Sequence, residues 1–221
     1  MAGDESYITL ADSHGVMRIT LDVSTDRSGI KITNSSGKVA IFMAENPNAA
    51  SLLFNSPKGD SKATVVANEN GSSLNIFDAT GKPAANLISK GKGPAFHLWN
   101  SESKYSAGLE IESSGPQLSF TDTKGTNRTV LGLDDEGGKL LLSDSKGVTR
   151  ADLVADESVA GLVLNDEKGA ARIELQVTNE KGDFLLYHQG GEAALLLNAD
   201  ENGSRKSDAP NSGIEILSRA V

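Results

Sequence analysis

Short stretches in which apolar and polar residues alternate come in pairs along most of this chain, and each pair is hinged on a small polar residue. Counted from the hinge, apolar side chains stand four positions earlier at Ile8, Ile30, Leu74, Phe96, Leu118, Leu140, Leu162 and Phe184, with Ser51 the one break. They stand two positions earlier at Leu10, Ile32, Leu53, Ile76, Leu98, Phe120, Leu142, Leu164 and Leu186. Nine positions after the hinge come Leu21, Met43, Leu87, Leu109, Leu131, Leu153, Leu175 and Leu197, and only the third unit, with Val65 and Val66, falls out of step. Alternation of period two over a few residues, bounded by Gly, Asn, Asp and Ser, predicts half-buried β-strands, and no stretch has helical spacing. Each unit therefore holds two short strands.

The hinges form a ladder: Asp12, Asn34, Asn55, Asp78, Asn100, Asp122, Asp144 and Asp166, with His188 in the ninth place, at successive gaps of 22, 21, 23, 22, 22, 22, 22 and 22. A fixed period means that one supersecondary unit has been copied end to end. The expected organisation is an N-terminal cap over 1–7, nine repeats over 8–203, and a tail over 204–221 with a capping strand at Gly213 to Leu217. A unit of this size buries too few apolar side chains to offset the entropy of ordering its backbone, so neighbouring units must stabilise one another. The fold class expected is all-β, with tandem 22-residue two-strand repeats forming an elongated β-solenoid or an interlocked β-fibre.

The corner after the hinge reads Asp/Asn-x-x-Gly in most units, with Gly15, Gly37, Gly81, Gly125, Gly147, Gly169 and Gly191 in the fourth place. A short acceptor side chain starts such a turn, and glycine closes it with a positive φ. A second corner is expected at Gly29, Gly71, Gly93, Gly115, Gly137, Gly182 and Gly203. In a flat hairpin with a type I turn and a Gly bulge, offset −2 would pair with offset +6. That register would point the apolar residues at −4 and −2 away from those at +7, +9 and +11. Facing layers would bring both sets into one thin core, and this is the arrangement the parity favours.

Glycine at 23 residues and aromatics at 5% suit a thin aliphatic core. The net charge of −9, with no basic cluster against it, opposes binding to nucleic acid or to an anionic membrane. There is no cysteine, hence no disulfide frame or thiolate site. The start has no secretory leader pattern and no run spans a membrane, so a cytoplasmic or virion-type assembly is the default expectation. His14, His97 and His188 stand apart rather than at metal-ligand spacing, and there is no phosphate loop or nucleophile elbow, so neither enzyme activity, cofactor nor metal is expected. Ladder carboxylates could in principle serve a glycan-cleaving pair or Ca²⁺. Their recurrence in nearly every unit and exchange with Asn match turn chemistry instead.

Arginine follows the hinge by six residues at Arg18, Arg128, Arg150 and Arg172, always with Asp on the ladder, which predicts a local ion pair; Ala40, Ser61, Ala84 and Ser106 hold that place in between. The Asp-x-x-Gly-x-x-Arg rhythm resembles the Tyr-Asp hairpin repeats of bacterial shell and toxin proteins. Their tyrosines are missing, Tyr7, Tyr105 and Tyr187 being the only ones present, so the rhythm assigns no family.

Offsets −1 and −3 should face outward, yet Phe54, Phe77 and Trp99 stand at the first and Leu52, Leu141, Val163 and Leu185 at the second. Such an outer stripe is too apolar for a free surface. The expected function is a structural rod, fibre or scaffold that self-associates through this stripe, with a trimer favoured and other protein subunits as further partners. In that case Phe77→Asp with Val163→Asp would dissociate it. The second expectation is a carbohydrate-binding surface built on Phe54, Phe77, Trp99 and His97.

Overall fold

The computed structural model describes residues 5–91, 93–200 and 203–208; the segment 1–4 of the expected cap and the expected capping strand at Gly213 to Leu217 lie outside the described residues. All described elements are strands, paired antiparallel, and no helix occurs among the described residues. The chain divides into two compact units, Met1–Ser113 and Ser114–Val221.

The first unit runs β1 (Ser6–Ala11), β2 (Met17–Val23), β3 (Ser28–Thr33), β4 (Val39–Asn46), β5 (Ala49–Asn55), β6 (Ser61–Asn68), β7 (Gly71–Phe77), β8 (Pro83–Lys90), β9 (Gly93–Trp99) and β10 (Ser106–Glu112). The second runs β11 (Gly115–Thr121), β12 (Asn127–Leu133), β13 (Gly137–Ser143), β14 (Thr149–Asp156), β15 (Val159–Asn165), β16 (Ala171–Thr178), β17 (Lys181–Tyr187), β18 (Ala193–Asp200) and β19 (Gly203–Asp208). Within each unit every strand packs only on its sequence neighbours. The two strands of a repeat are therefore hydrogen-bonded side by side in a meander, and within a unit no second layer of strands faces them.

The turn has the chemistry the sequence indicates. In the first repeat the Asp12 N–H donates to Val16 O at 2.9 Å and the Gly15 N–H to Asp12 O at 3.0 Å, with Gly15 at φ 78°. The same pair of bonds recurs at Asn34, Asp78, Asp122, Asp144, Asp166 and His188. In the third repeat the turn begins one residue later than Asn55. Ser56 N–H donates to Asp60 O, Gly59 N–H to Ser56 O, and Asn55 ends strand β5 with its amide donating to Val39 O at 3.1 Å. Ser56 restores an even spacing of 22. The apparent slip was a misplaced hinge, since a serine hydroxyl caps the turn as an Asx carboxyl does.

What differs from the flat hairpin considered above is one residue. Offset −1 pairs with +5, as Ala11 with Met17, but −2 pairs with +7, as Leu10 with Ile19, and −4 with +9, as Ile8 with Leu21. Residue +6 is extruded as a β-bulge, which advances the register by one and puts both apolar sets on the same side of the sheet. Bulges at this place recur in β3 with β4, β5 with β6, β7 with β8, β11 with β12, β13 with β14, β15 with β16 and β17 with β18. The fifth repeat absorbs the extra residue differently. Its turn is longer, the Asn100 N–H reaching Tyr105 O and Lys104 taking φ 61°, and β9 then pairs with β10 without a bulge, Leu98 opposite Ala107. A bulge thus does the work expected of facing layers.

The second corner is sharper. Gly71, Gly93, Gly115, Gly137 and Gly203 open the strands that follow it with positive φ, whereas Gly29 and Gly182 lie inside β3 and β17.

Candidate functional surface

The bulge, or in the fifth repeat the longer turn, gives each repeat one apolar face and one mixed face. The apolar face carries the hinge offsets −4, −2, +7, +9 and +11. Cross-strand pairing joins these into continuous rows, as in Leu21 with Ile30 and Ile30 with Met43. This face was expected to form the interior, yet it is open. Among the described residues no side chain is fully buried, and Ala95 and Leu195 are the only buried hydrophobic ones. The large apolar residues left exposed, Tyr7, Met17, Trp99 and Tyr105 apart, all belong to the apolar face, including Leu87 and Leu131 at 52% and Leu133 at 57%. One stretch, lined by Leu21, Ile30, Met43, Leu52 and Val65 among others, forms a shallow hollow of about 620 Å³.

The residues expected to form one outer stripe are divided by the register. Leu52 pairs with Val65 and Phe54 with Ala63, which places Leu52 and Phe54 at offsets −4 and −2 from Ser56 and therefore on the apolar face. Phe77 and Trp99 end β7 and β9 on the mixed face. Leu141, Val163 and Leu185 are half-buried on the mixed face of the second unit. There they alternate with carboxylates in one row: Leu141, Asp152, Val163, Glu174, Leu185. Tyr187 Oη donates to Glu174 Oε2 at 2.6 Å, which pushes the phenol up to about 12. On this mixed face the Oδ1 atoms of Asn55, Asp152 and Asp183 are buried without a hydrogen-bond partner.

Near Trp99 the mixed face gathers different chemistry. His97 Nε2 lies 2.6 Å from Glu110 Oε1, its Nδ1 lies 3.2 Å from Asn86 Oδ1, and the indole of Trp99 tilts at 47° to the imidazole with ring centres 5.4 Å apart. His97 and Glu110 also line a hollow of about 470 Å³.

Within each unit the hinge residues follow one another along one end of the strands. Asp122 Oδ1 accepts the N–H groups of Lys124 at 2.8 Å and Thr126 at 3.1 Å, and Asp144 and Asp166 do the same two and four residues on. Asn34 and Asp12 repeat the pattern, as does Ser56 through its hydroxyl. Asn100 takes the second and third N–H instead because its turn is longer. The cation at the bulge pairs with its own hinge at Arg18–Asp12, 3.1 Å, Arg128–Asp122, 3.4 Å, Arg150–Asp144, 3.5 Å, and Arg172–Asp166, 2.5 Å. It then reaches onward to the next hairpin: Arg128 Nε donates to Ser143 O at 3.0 Å and Arg150 Nε to Asn165 O at 2.9 Å, and Arg172 donates to His188 O. Lys62, at the bulge that the misplaced hinge concealed, donates to Asp78 O at 2.9 Å and Ala79 O at 3.2 Å. These contacts staple turn to turn within each unit.

Comparison with known families and with curated proteins finds no match. Among the described residues no three His, Asp or Glu side chains gather as a metal site would require, and no helix is long and apolar enough to cross a membrane.

Backbone N–H groups, first that of the residue two places on, hold the Asp122, Asp144 and Asp166 carboxyls below the usual carboxylate range, with the bulge arginines adding to the effect. The Ser101 hydroxyl does the same for Asp78. Because these groups keep their charge more tightly when folded than at the ordinary value of about 3.9, the unfolded chain takes up protons first. Their stabilisation is complete above pH ~4 and is lost as the pH falls through the folded values. Replacing Asp122, Asp144 and Asp166 together by Asn, which keeps the turn acceptor, should flatten the fall of the thermal midpoint below pH ~4. An unaltered fall would place the acid sensitivity elsewhere.

Proposed function

We propose that this chain is a non-enzymatic structural repeat protein, a rod, fibre or scaffold component, that self-associates through the apolar faces of its repeats. The observation that carries the reading is the open apolar face, because soluble monomers rarely leave contiguous apolar surface beyond a few hundred Å² in water. The net charge of −9 keeps the rest of the surface soluble. Interrupted by carboxylates as it is, the row of Leu141, Val163 and Leu185 makes a poorer contact than the apolar face. A second reading, glycan binding, is favoured by the meeting of Trp99, His97, Asn86 and Glu110, an aromatic plate beside polar groups; Phe54 has no part in it.

One set of solutions separates the two. If association stabilises the fold, the thermal midpoint rises with protein concentration, since the associated state is bound only when folded. Trp99 is the chain's only tryptophan, so its fluorescence reports the glycan surface directly. The expected result is a rising midpoint with no fluorescence response to neutral oligosaccharides. A concentration-independent midpoint together with a saturable Trp99 response would overturn self-association in favour of the glycan reading.

A further inference from the structure

On the apolar face of the first unit, the row at offsets −2 and +7 is large over β1 to β4, at Leu10, Ile19, Ile32 and Ile41, and alternates large and small from β5 onward. Phe54 pairs with Ala63, Ala63 with Ile76, Ile76 with Ala85, Ala85 with Leu98 and Leu98 with Ala107. Read from β5 to β10 it is a run of bump and gap, one strand each. Facing sheets pack best when a large side chain of one layer enters a space left by a small one of the other. This run has an even number of members, so reversing its order exchanges every large position with a small one.

We propose that the occupant of this face is a second copy of the same chain, related by a two-fold axis that runs along the strand direction between β7 and β8; the inference rests on the self-association reading above and specifies its geometry. Such an axis sets Ile76 against Ala85 of the second copy, Leu98 against Ala63, and Phe54 against Ala107. The neighbouring row, Leu52, Val65, Leu74, Leu87, Phe96 and Leu109, then meets its own image, apolar on apolar. One surface serves both partners, which is the isologous contact of a closed dimer.

Charge and area agree with a second copy. Between β5 and β10 the −6, −4, −2, +7, +9 and +11 positions carry no Asp, Glu, Lys or Arg, so two acidic chains meet there without bringing like charges together. Six strands spaced about 4.8 Å apart and about 22 Å long give a footprint of roughly 650 Å², and its corrugated surface is of the order of the ~800 Å² per partner of a stable interface. In the second unit the alternation runs from Phe120 through Thr129, Leu142 and Ala151 to Leu164 and stops at Ile173, so the first unit carries the more complete pattern.

The absence of native cysteine makes the test direct. Phe54→Cys and Ala107→Cys chains are prepared separately, mixed, and treated with a short bis-maleimide. Facing positions 54 and 107 should cross-link in the mixture, doubling the 23.1 kDa band on a denaturing gel. Either variant alone should not, because identical positions stand five strand spacings, roughly 24 Å, apart. The pair Ala63→Cys and Leu98→Cys, expected to behave alike, covers the case in which Phe54→Cys fails to fold. Cross-linking within Phe54→Cys alone, or an assembly of three copies without 54 to 107 links, would overturn the two-fold arrangement while leaving self-association standing. A strict monomer at every concentration would overturn both.

Discussion

Leu87→Asp combined with Phe96→Asp is expected to weaken self-association at least about a thousandfold, while the secondary structure of the single chain survives. Both side chains are about half exposed in the lone chain, Leu87 at 52% and Phe96 at 41%, so a carboxylate at either site stays solvated until a second copy arrives. Association then buries it without a partner, and an unpaired polar group taken from water costs roughly 2–7 kcal/mol, whereas a thousandfold change requires only about 4 kcal/mol. The companion variant, Phe77→Asp with Val163→Asp, alters the mixed face and is expected to leave the association constant within about tenfold, or roughly 1.4 kcal/mol. Sedimentation of both proteins against the parent decides between the faces. If the first variant associates normally and the second does not, the interface lies on the mixed face, where the outer aromatic and aliphatic residues first suggested it.

The largest loss of fold stability is expected at a second-corner glycine. Gly137 takes φ 155°, and a Cβ placed there would lie 2.1 Å from the Ala155 carbonyl oxygen and 2.9 Å from Asp156 Cα. Both obstacles are backbone, so the hairpin of β13 and β14 must open to admit a side chain. Gly137→Val should therefore cost about 3 kcal/mol or more, combining an unfavourable backbone conformation with overpacking. Gly147, at the hinge turn, also has a positive φ, 83°, but its nearest obstacle is a side-chain methyl, Thr126 Cγ2, at 3.3 Å. Gly147→Ala should cost only about 1 kcal/mol. Urea midpoints of the two variants give the comparison, and equal losses would show that the close backbone approach at the second corner does not control stability.

Much of the fold is legible from spacing because a repeat states its local chemistry many times. Strand positions, the Asp-x-x-Gly turn and the arginine pair all follow from residues whose roles are local. The bulge carries no residue signature: offset +6 is Arg, Lys or Ala in the repeats that bulge. Its trace was the parity conflict, which an extra residue between +5 and +7 resolves as well as facing layers do. Asn55 displaced the third hinge because Asx is the stronger turn former, although strict spacing pointed to Ser56. That single shift carried Leu52 and Phe54 to the wrong face and hid Lys62.

The candidate surface was less legible for a physical reason. Alternation tells which residues share a side of a sheet, but whether that side meets its own chain, another copy or water depends on tertiary placement that no local pattern encodes. Leu153 and Leu175 read as core from the sequence and stand 48% and 44% exposed in the lone chain. The cluster of His97, Glu110 and Asn86 has no signature in the sequence, because its members sit on three different strands and only the register brings them together.

Self-association is tested most directly by the mass of the unaltered chain in solution, measured by light scattering over a roughly hundredfold range of concentration. The expected mass is a multiple of 23.1 kDa that persists on dilution well below the concentrations at which proteins associate non-specifically. A mass of one chain throughout that range would contradict it.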